Sequence, residues 1–228
     1  MKSTGTFFDE FSKEYDGQGR FNLLFYTWMI KNIIRQINKQ KSTILDIGTG
    51  TGELATKIAI KFPQSKVLGI DISEGMIKEA MVKVKRMGIK NLKFAVSPVE
   101  RLEMDRIDFA VSCLAFHHVA KKELVISKIY QALAENGKVV IGDWFKPCKK
   151  YREKVQGLRS RNPQRAKEFD RSWRQALQAM SEEYGKKHPK EYTICPDDMK
   201  ELMKNVGFKK QRVIKSFLSN FSVVIGEK

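Results

Sequence analysis

Thr43-Ile44-Leu45-Asp46-Ile47-Gly48-Thr49-Gly50-Thr51-Gly52-Glu53 joins an apolar run to three alternating glycines, and the stripe Leu54, Ala55, Ile58, Ala59 and Phe62 follows at once. A short Ile/Leu run reads as a buried strand, and apolar residues recurring every three to four positions read as a helix laid over it. The glycines between them permit a tight turn and a close approach of ligand to backbone, while the helix N-terminus presents free N–H groups. Pro63 is expected to stop that helix.

The same alternation continues outward. Short runs rich in Ile and Val at 66–70, 91–96, 107–114, 138–143, 208–215 and 220–226 are predicted strands. Between them Met76, Ile77, Ala80, Met81 and Val84 form a stripe opened by Ser73 as N-cap and closed near Gly88. Leu124 or Val125, Ile129 and Leu133 form another, predicted to end near Gly137. Pro196 opens a further helix, with Asp197 and Asp198 in its first turn, through Met199, Leu202, Met203 and Val206 to Gly207. This pattern implies an α/β fold with a doubly wound, mostly parallel sheet of seven strands. The last two runs lie a few residues apart and are expected to pair as an antiparallel hairpin at one edge.

Two segments break the alternation. Residues 20–40 read as one amphipathic helix (Leu23, Ile30, Ile33, Ile34, Ile37), and residues 146–192 as a helical insertion spaced by Trp173, Leu177, Met180 and Tyr184. The 228 residues carry 43 Lys plus Arg against 26 Asp plus Glu, a net charge of +17, and residues 146–228 hold 21 of the basic and 10 of the acidic side chains. Such an excess points to an acidic partner and says nothing of fold. With 42% hydrophobic and 30% charged residues, a wholly disordered or fibrous chain is excluded. Cys113, Cys148 and Cys195 form no C-x-x-C pair, which argues against a disulfide framework or a zinc site and for a reducing, cytoplasmic setting. Asp9 and Glu10 precede any apolar run, so the N-terminus does not read as a secretory signal. Uncharged stretches such as 109–120 fall short of the roughly 20 residues a membrane helix needs.

The second strand ends at Asp71, 23 residues after Gly48. An acid at the tip of the neighbouring strand can accept both hydroxyls of a ribose lying across the switch point of the sheet. The spacing from Asp46 to Gly52 is D-x-G-x-G-x-G, not the dinucleotide fingerprint G-x-G-x-x-G, which argues against a nicotinamide-linked reductase. It resembles motif I of the class I S-adenosylmethionine-dependent methyltransferases, and Asp71 matches their ribose-binding acid. The likeness continues through 107–119, closing on Phe116-His117-His118-Val119, and through 133–143, closing on Ile141-Gly142-Asp143. These look like the fourth- and fifth-strand motifs of the small-molecule branch that includes the ubiquinone/menaquinone C-methyltransferases.

The resemblance implies a Rossmann-like methyltransferase fold with S-adenosyl-L-methionine as cofactor. It places Asp46, Gly48, Gly50 and Gly52 around the methionine portion, Asp71 on the ribose, and Ile72 and Met76 near the adenine. Family members usually carry an acid beside the adenine amino group, whereas this chain reads Ser97-Pro98-Val99-Glu100. Either Glu100 substitutes or the backbone at Val99 serves alone. Tyr15 resembles the N-terminal segment that covers the cofactor, and Cys113 is expected to line the cofactor cavity as a small apolar residue.

Three side chains are candidates for catalytic contact with the acceptor. His117 and His118 follow a buried strand at the ligand-binding edge, where one can orient substrate, take a proton, or serve structure alone. Asp143 stands at the tip of the fifth strand. No metal site is read. The expected reaction is in-line methyl transfer to a small-molecule acceptor, anionic or lipid-like. An RNA methyltransferase and a non-catalytic cofactor-sensing protein are the alternatives. Four parts are expected: a helical segment 1–41 capping the cofactor site, a cofactor-binding core 42–145, a basic helical insertion 146–192 as acceptor lid, and 193–228 completing the core. The basic insertion reads as a solvated face, as contact with an anionic membrane surface, or as steering of a small anion. Nucleic-acid recognition ranks last, because no RNA-binding module accompanies it.

Overall fold

The computed structural model describes residues 3–13, 24–101, 103–146, 190–216 and 221–228, with single residues and short stretches between 153 and 171. Tyr15, Leu23, Cys148, Trp173, Leu177, Met180 and Tyr184, with most of the basic insertion, lie outside the described residues.

Seven strands form one sheet: β1 (Thr43–Ile47), β2 (Lys66–Asp71), β3 (Leu92–Val96), β4 (Ile107–Cys113), β5 (Leu133–Trp144), β6 (Lys210–Lys215) and β7 (Phe221–Glu227). Their order is β3-β2-β1-β4-β5-β7-β6. Strands β1 to β5 run parallel, and β7 is antiparallel to both β5 and β6. Helices bounded within the described residues are α1 (Thr4–Phe11), α2 (Leu24–Ile34), α3 (Glu53–Lys61), α4 (Glu74–Arg86), α5 (Lys122–Ala132) and α6 (Pro196–Val206). From β1 the chain winds outward to β3, then returns to lay β4 on the other side of β1 and winds outward again. The strand order therefore reverses between β1 and β4, and the crevice beyond their C-terminal ends is where such sheets bind ligands.

Alternation along each strand builds two apolar layers. Ile44, Phe109, Val111, Val140, Val223 and Ile225 pack with Met29 and Ile33 of α2 and with Leu54 and Ile58 of α3. Leu45, Ala110, Val139, Ile141 and Val224, one residue out of step, pack with Val125, Ile126 and Ile129 of α5 and with Met199 and Met203 of α6. A strand covered on both faces is apolar at most positions, which is why these strands read as near-continuous Ile/Val runs. Ser73 caps α4 by accepting from the Met76 N–H at 3.1 Å.

Two expectations are corrected. The helix of Val125 and Ile129 stops at Ala132, not near Gly137, because Leu133 already pairs with Ile107 in the β4–β5 ladder. The fifth strand accordingly begins at Leu133. The helix read over 20–40 is described as α2 over Leu24–Ile34, and it packs against β5 and β7 with Met29 and Ile33 wholly buried.

Candidate functional site

A cavity of about 340 Å³ opens at the switch point between β1 and β4. Its floor is the loop leaving β1. Gly48 and Gly50 stand there at φ +65° and +54°, conformations that cost an L side chain roughly 1–2 kcal/mol. A Cβ on Gly48 would fall 2.2 Å from the Ala115 Cβ, so the loop after β4 touches the glycine backbone directly. At Gly50 a Cβ would meet no atom within 4 Å, and the residue faces the cavity. Gly52 does not line the cavity; it lies under the Phe94 ring, where α3 meets β3.

Asp71 adjoins that loop in the cavity wall, at the tip of β2. Its Oδ2 accepts from the Gly50 N–H at 2.9 Å and its Oδ1 from the Ser73 N–H at 3.0 Å. Burial pushes its pKa above the ordinary 3.8, against the pull of these backbone donors. The Ile72 N–H is a third backbone donor to this carboxylate, and the lone-pair sites these bonds do not use face the cavity. Ile72, Met76, Val99 and Glu100 continue that wall, and Cys113 closes the base, where burial and the charges of Asp143 and Asp46 push its thiol well up from 9.0. Asp46 lies behind the loop at 1% exposure, accepting from the Thr49 hydroxyl at 2.7 Å. Burial, helped by the charge of Asp71, pushes its carboxyl up to about 7.

The three catalytic candidates separate. His118 lines the cavity with Phe8 set edge-on to its ring at 5.5 Å. Asp143 and His117 do not line it. The Asp143 carboxylate, 2% exposed, accepts from the His117 N–H at 2.8 Å, bonds His117 Nδ1 at 2.7 Å and accepts from the Trp144 N–H at 2.7 Å. It thereby pins the short 3₁₀ turn Phe116–His118 to the end of β5. Burial pulls the His117 imidazolium down, but the charge and hydrogen bond of Asp143 more than offset this, and its pKa stands above 6.5.

Several cavity residues escaped the reading of the sequence. Thr4 and Phe8 of α1, Tyr26 of α2, Leu114, Ala115 and Tyr192 all line it. The placement of α1 depends on Asp9, whose Oδ1 accepts from the Ser73 hydroxyl at 2.7 Å and from the Gly75 N–H at 2.9 Å. Nothing local to Asp9 announces that contact. Tyr192 is brought in by its N–H donating to the His117 carbonyl at 2.7 Å. Leu114 sits at φ +55°, strain that a buried cavity wall tolerates and a pattern search cannot register. Lys122, buried beside the Phe116 and Tyr192 rings, has its ammonium pushed down to about 8 by burial.

A sheet reversed at this point, with a glycine loop and a hydrogen-bonded acid lining one cavity, is the arrangement in which α/β sheets bind nucleotides. The sequence model of a methyltransferase domain family matches residues 38–193, and the chain belongs to that family. An uncharacterized methyltransferase of Geobacillus thermodenitrificans is 31% identical over 158 residues, 68% of this chain and 70% of that protein. A malonyl-[acyl-carrier protein] O-methyltransferase of Priestia megaterium is 27% identical over 134 residues, 58% of this chain; the match spans about half, 48%, of that relative. A ubiquinone/menaquinone biosynthesis C-methyltransferase of Citrifermentans bemidjiense is 31% identical over 46% of each chain. Among solved structures, an S-adenosylmethionine-dependent methyltransferase of Aquifex aeolicus superposes with a TM-score of 0.65 at 18% identity, covering 96% of this chain and 97% of its own. At that identity the likeness establishes the Rossmann-like fold.

Proposed function

We propose that the chain transfers the methyl group of S-adenosylmethionine to a small-molecule acceptor. The observation carrying this reading is the single cavity in which the Gly48–Gly50 loop and the Asp71 carboxylate face one ligand-sized volume. The open side of Gly50 leaves room where any side chain would project, and Ile72, Met76 and Val99 offer apolar walls to an aromatic base. Bound there, the cofactor supplies a sulfonium-activated methyl group. Asp71 accepts the two ribose hydroxyls, the backbone at Val99 and the Glu100 side chain border the adenine, and the backbone of Gly48 and Gly50 borders the methionine portion. Asp46 and Gly52 support that loop from behind. The protein's task is alignment and exclusion of water, which can supply on the order of 7–11 kcal/mol. His118 is the imidazole at the acceptor end; it takes a proton from an oxygen acceptor and positions a carbon or nitrogen one.

The kinship with small-molecule methyltransferases supports an acceptor of that kind. In this reading 42–145 with 193–228 forms the cofactor-binding body, 1–41 covers the cofactor and 146–192 selects the acceptor. Among the described residues no helix is long and apolar enough to cross a membrane. The test is calorimetric titration of S-adenosylhomocysteine and of NADH into the wild type and Asp71→Ala. S-adenosylhomocysteine should bind, and losing two charge-assisted bonds of about 1.5–3 kcal/mol each should weaken it by roughly a hundredfold or more. NADH should not bind. Equal affinity in a folded Asp71→Ala would overturn the ribose assignment.

A further inference from the structure

A second concavity, of about 330 Å³, runs between α2 and α3. Its floor is apolar, formed by the buried Ile30 and Ile34, and its rim holds Lys31, Arg35, Lys57 and Lys61. Among the described residues no Asp or Glu lines it. Among the described residues Lys31, Arg35 and Lys61 form no ion pair, and Lys57 alone meets a carboxylate, Glu53 at 3.0 Å. Four like charges around one hollow repel one another unless an anion joins them.

The groove is not isolated from the cofactor cavity. Tyr26 lines both, and Glu53, the partner of Lys57, lines the cavity at the first turn of α3. A helix rises 1.5 Å per residue, so Lys57 and Lys61 stand about 6 and 12 Å along α3 from Glu53. We propose that this groove is an anion-binding subsite for a phosphate group carried by the methyl acceptor, whose apolar portion lies on Ile30 and Ile34 and passes Tyr26 toward the transferred methyl. A phosphate ester carries close to two negative charges at neutral pH and suits a cluster containing Arg, whose planar fork grips phosphate through two oxygens. A carboxylate would leave most of the cluster unpaired. The role for the acceptor rests on the reading of the cofactor cavity given above; the binding of phosphate does not.

The test is calorimetric titration of inorganic pyrophosphate, at fixed ionic strength and with S-adenosylhomocysteine saturating, into three proteins. These are the wild type, the groove variant K31Q/R35Q/K57Q/K61Q, and a control of equal charge, K78Q/K85Q/K90Q/K93Q, whose side chains are exposed elsewhere. All eight positions are exposed, so both variants should keep the wild-type thermal midpoint and affinity for S-adenosylhomocysteine within twofold. Pyrophosphate affinity should fall at least tenfold in the groove variant and less than twofold in the control. Equal loss in both variants, no loss in either, no wild-type binding, or displacement of pyrophosphate by S-adenosylhomocysteine would overturn the proposal. Co-sedimentation with phosphatidylglycerol vesicles separates two sources of the phosphate. Release of the groove variant alone from the vesicles supports a lipid headgroup, and a contrast seen only with pyrophosphate supports a soluble ester. Failure of S-adenosylhomocysteine to bind the wild type would overturn the cofactor reading instead, and pyrophosphate titrated alone would still report on the groove.

Discussion

Replacing Asp46 by Asn should make this protein more stable at pH 8 than at pH 5, relative to the wild type. Asp46 is 1% exposed, accepts the Thr49 hydroxyl at 2.7 Å and also bonds the Ala55 N–H. Burial raises its pKa from 3.8 to about 7. An unfolded chain releases this proton near 3.8, whereas the native state holds it to about 7. Between these values the native state binds more protons, so stability falls as pH rises through the window, at about 1.36 kcal/mol per pH unit. From pH 5 to 8 the loss is roughly 3 kcal/mol, and it levels off above 7. Asn abolishes this loss. Its oxygen can keep the Ala55 N–H, and its amide can donate to the Thr49 oxygen, at a cost on the order of 1 kcal/mol that does not vary with pH.

The assay is thermal unfolding of both proteins at pH 5, 6, 7 and 8 and constant ionic strength. For a chain of this length 1 kcal/mol moves the midpoint by roughly 2–4 °C. The difference between variant and wild type should therefore shift by roughly 6–12 °C in the variant's favour from pH 5 to 8. Apart from Asp71 and Cys113, whose titration is coupled to the Asp46 charge, every other titrating group is common to both and cancels. Midpoints that stay parallel across the range would refute the reasoning, since they would mean that the native carboxylate is ionised throughout.

Two further outcomes are expected. Gly48→Ala should cost on the order of 2–5 kcal/mol, from left-handed backbone and from a Cβ set 2.2 Å from Ala115; adding Ala115→Gly should recover the steric part in a denaturant melt, and no recovery would refute the contact. His117, held above 6.5 by Asp143, lends stability that is full below pH 6.5 and lost as pH rises through its raised value. In Asp143→Asn the imidazole midpoint followed by nuclear magnetic resonance should drop, because burial and the charge of Lys122 are then opposed only by the charge of Glu191; an unchanged midpoint would sink that account.

The short-range parts of the site were open to a reader of the sequence. A strand, a glycine turn and a helix in succession must place Gly48 and Gly50 at the end of β1, and Ser73 caps α4 as its type and position suggest. These follow from backbone sterics and periodicity acting over a dozen residues. The end of α5 was misjudged because Leu133 obeys the helical period yet gains more by pairing with Ile107, a partner 26 residues away.

Asp143 shows the same limit at the site itself. Its place at the tip of β5 makes it a plausible contact for an acceptor, but whether a carboxylate faces a ligand or a backbone is settled by whatever folds against it. Here the 3₁₀ turn of His117 claims both oxygens, and His118, one residue on, is left to face the cavity. Thr4, Phe8, Tyr26 and Tyr192 reach that cavity from four distant points of the chain, with no spacing to reveal them. The amino-acid order alone determined the mostly parallel sheet and the glycine loop with its acid, since each rests on local geometry and on burial of both sheet faces, whereas the strand order and its reversal beside β1 came with the tertiary structure. Only the tertiary structure decided which side chains surround the bound molecule, because packing between remote segments sets those directions.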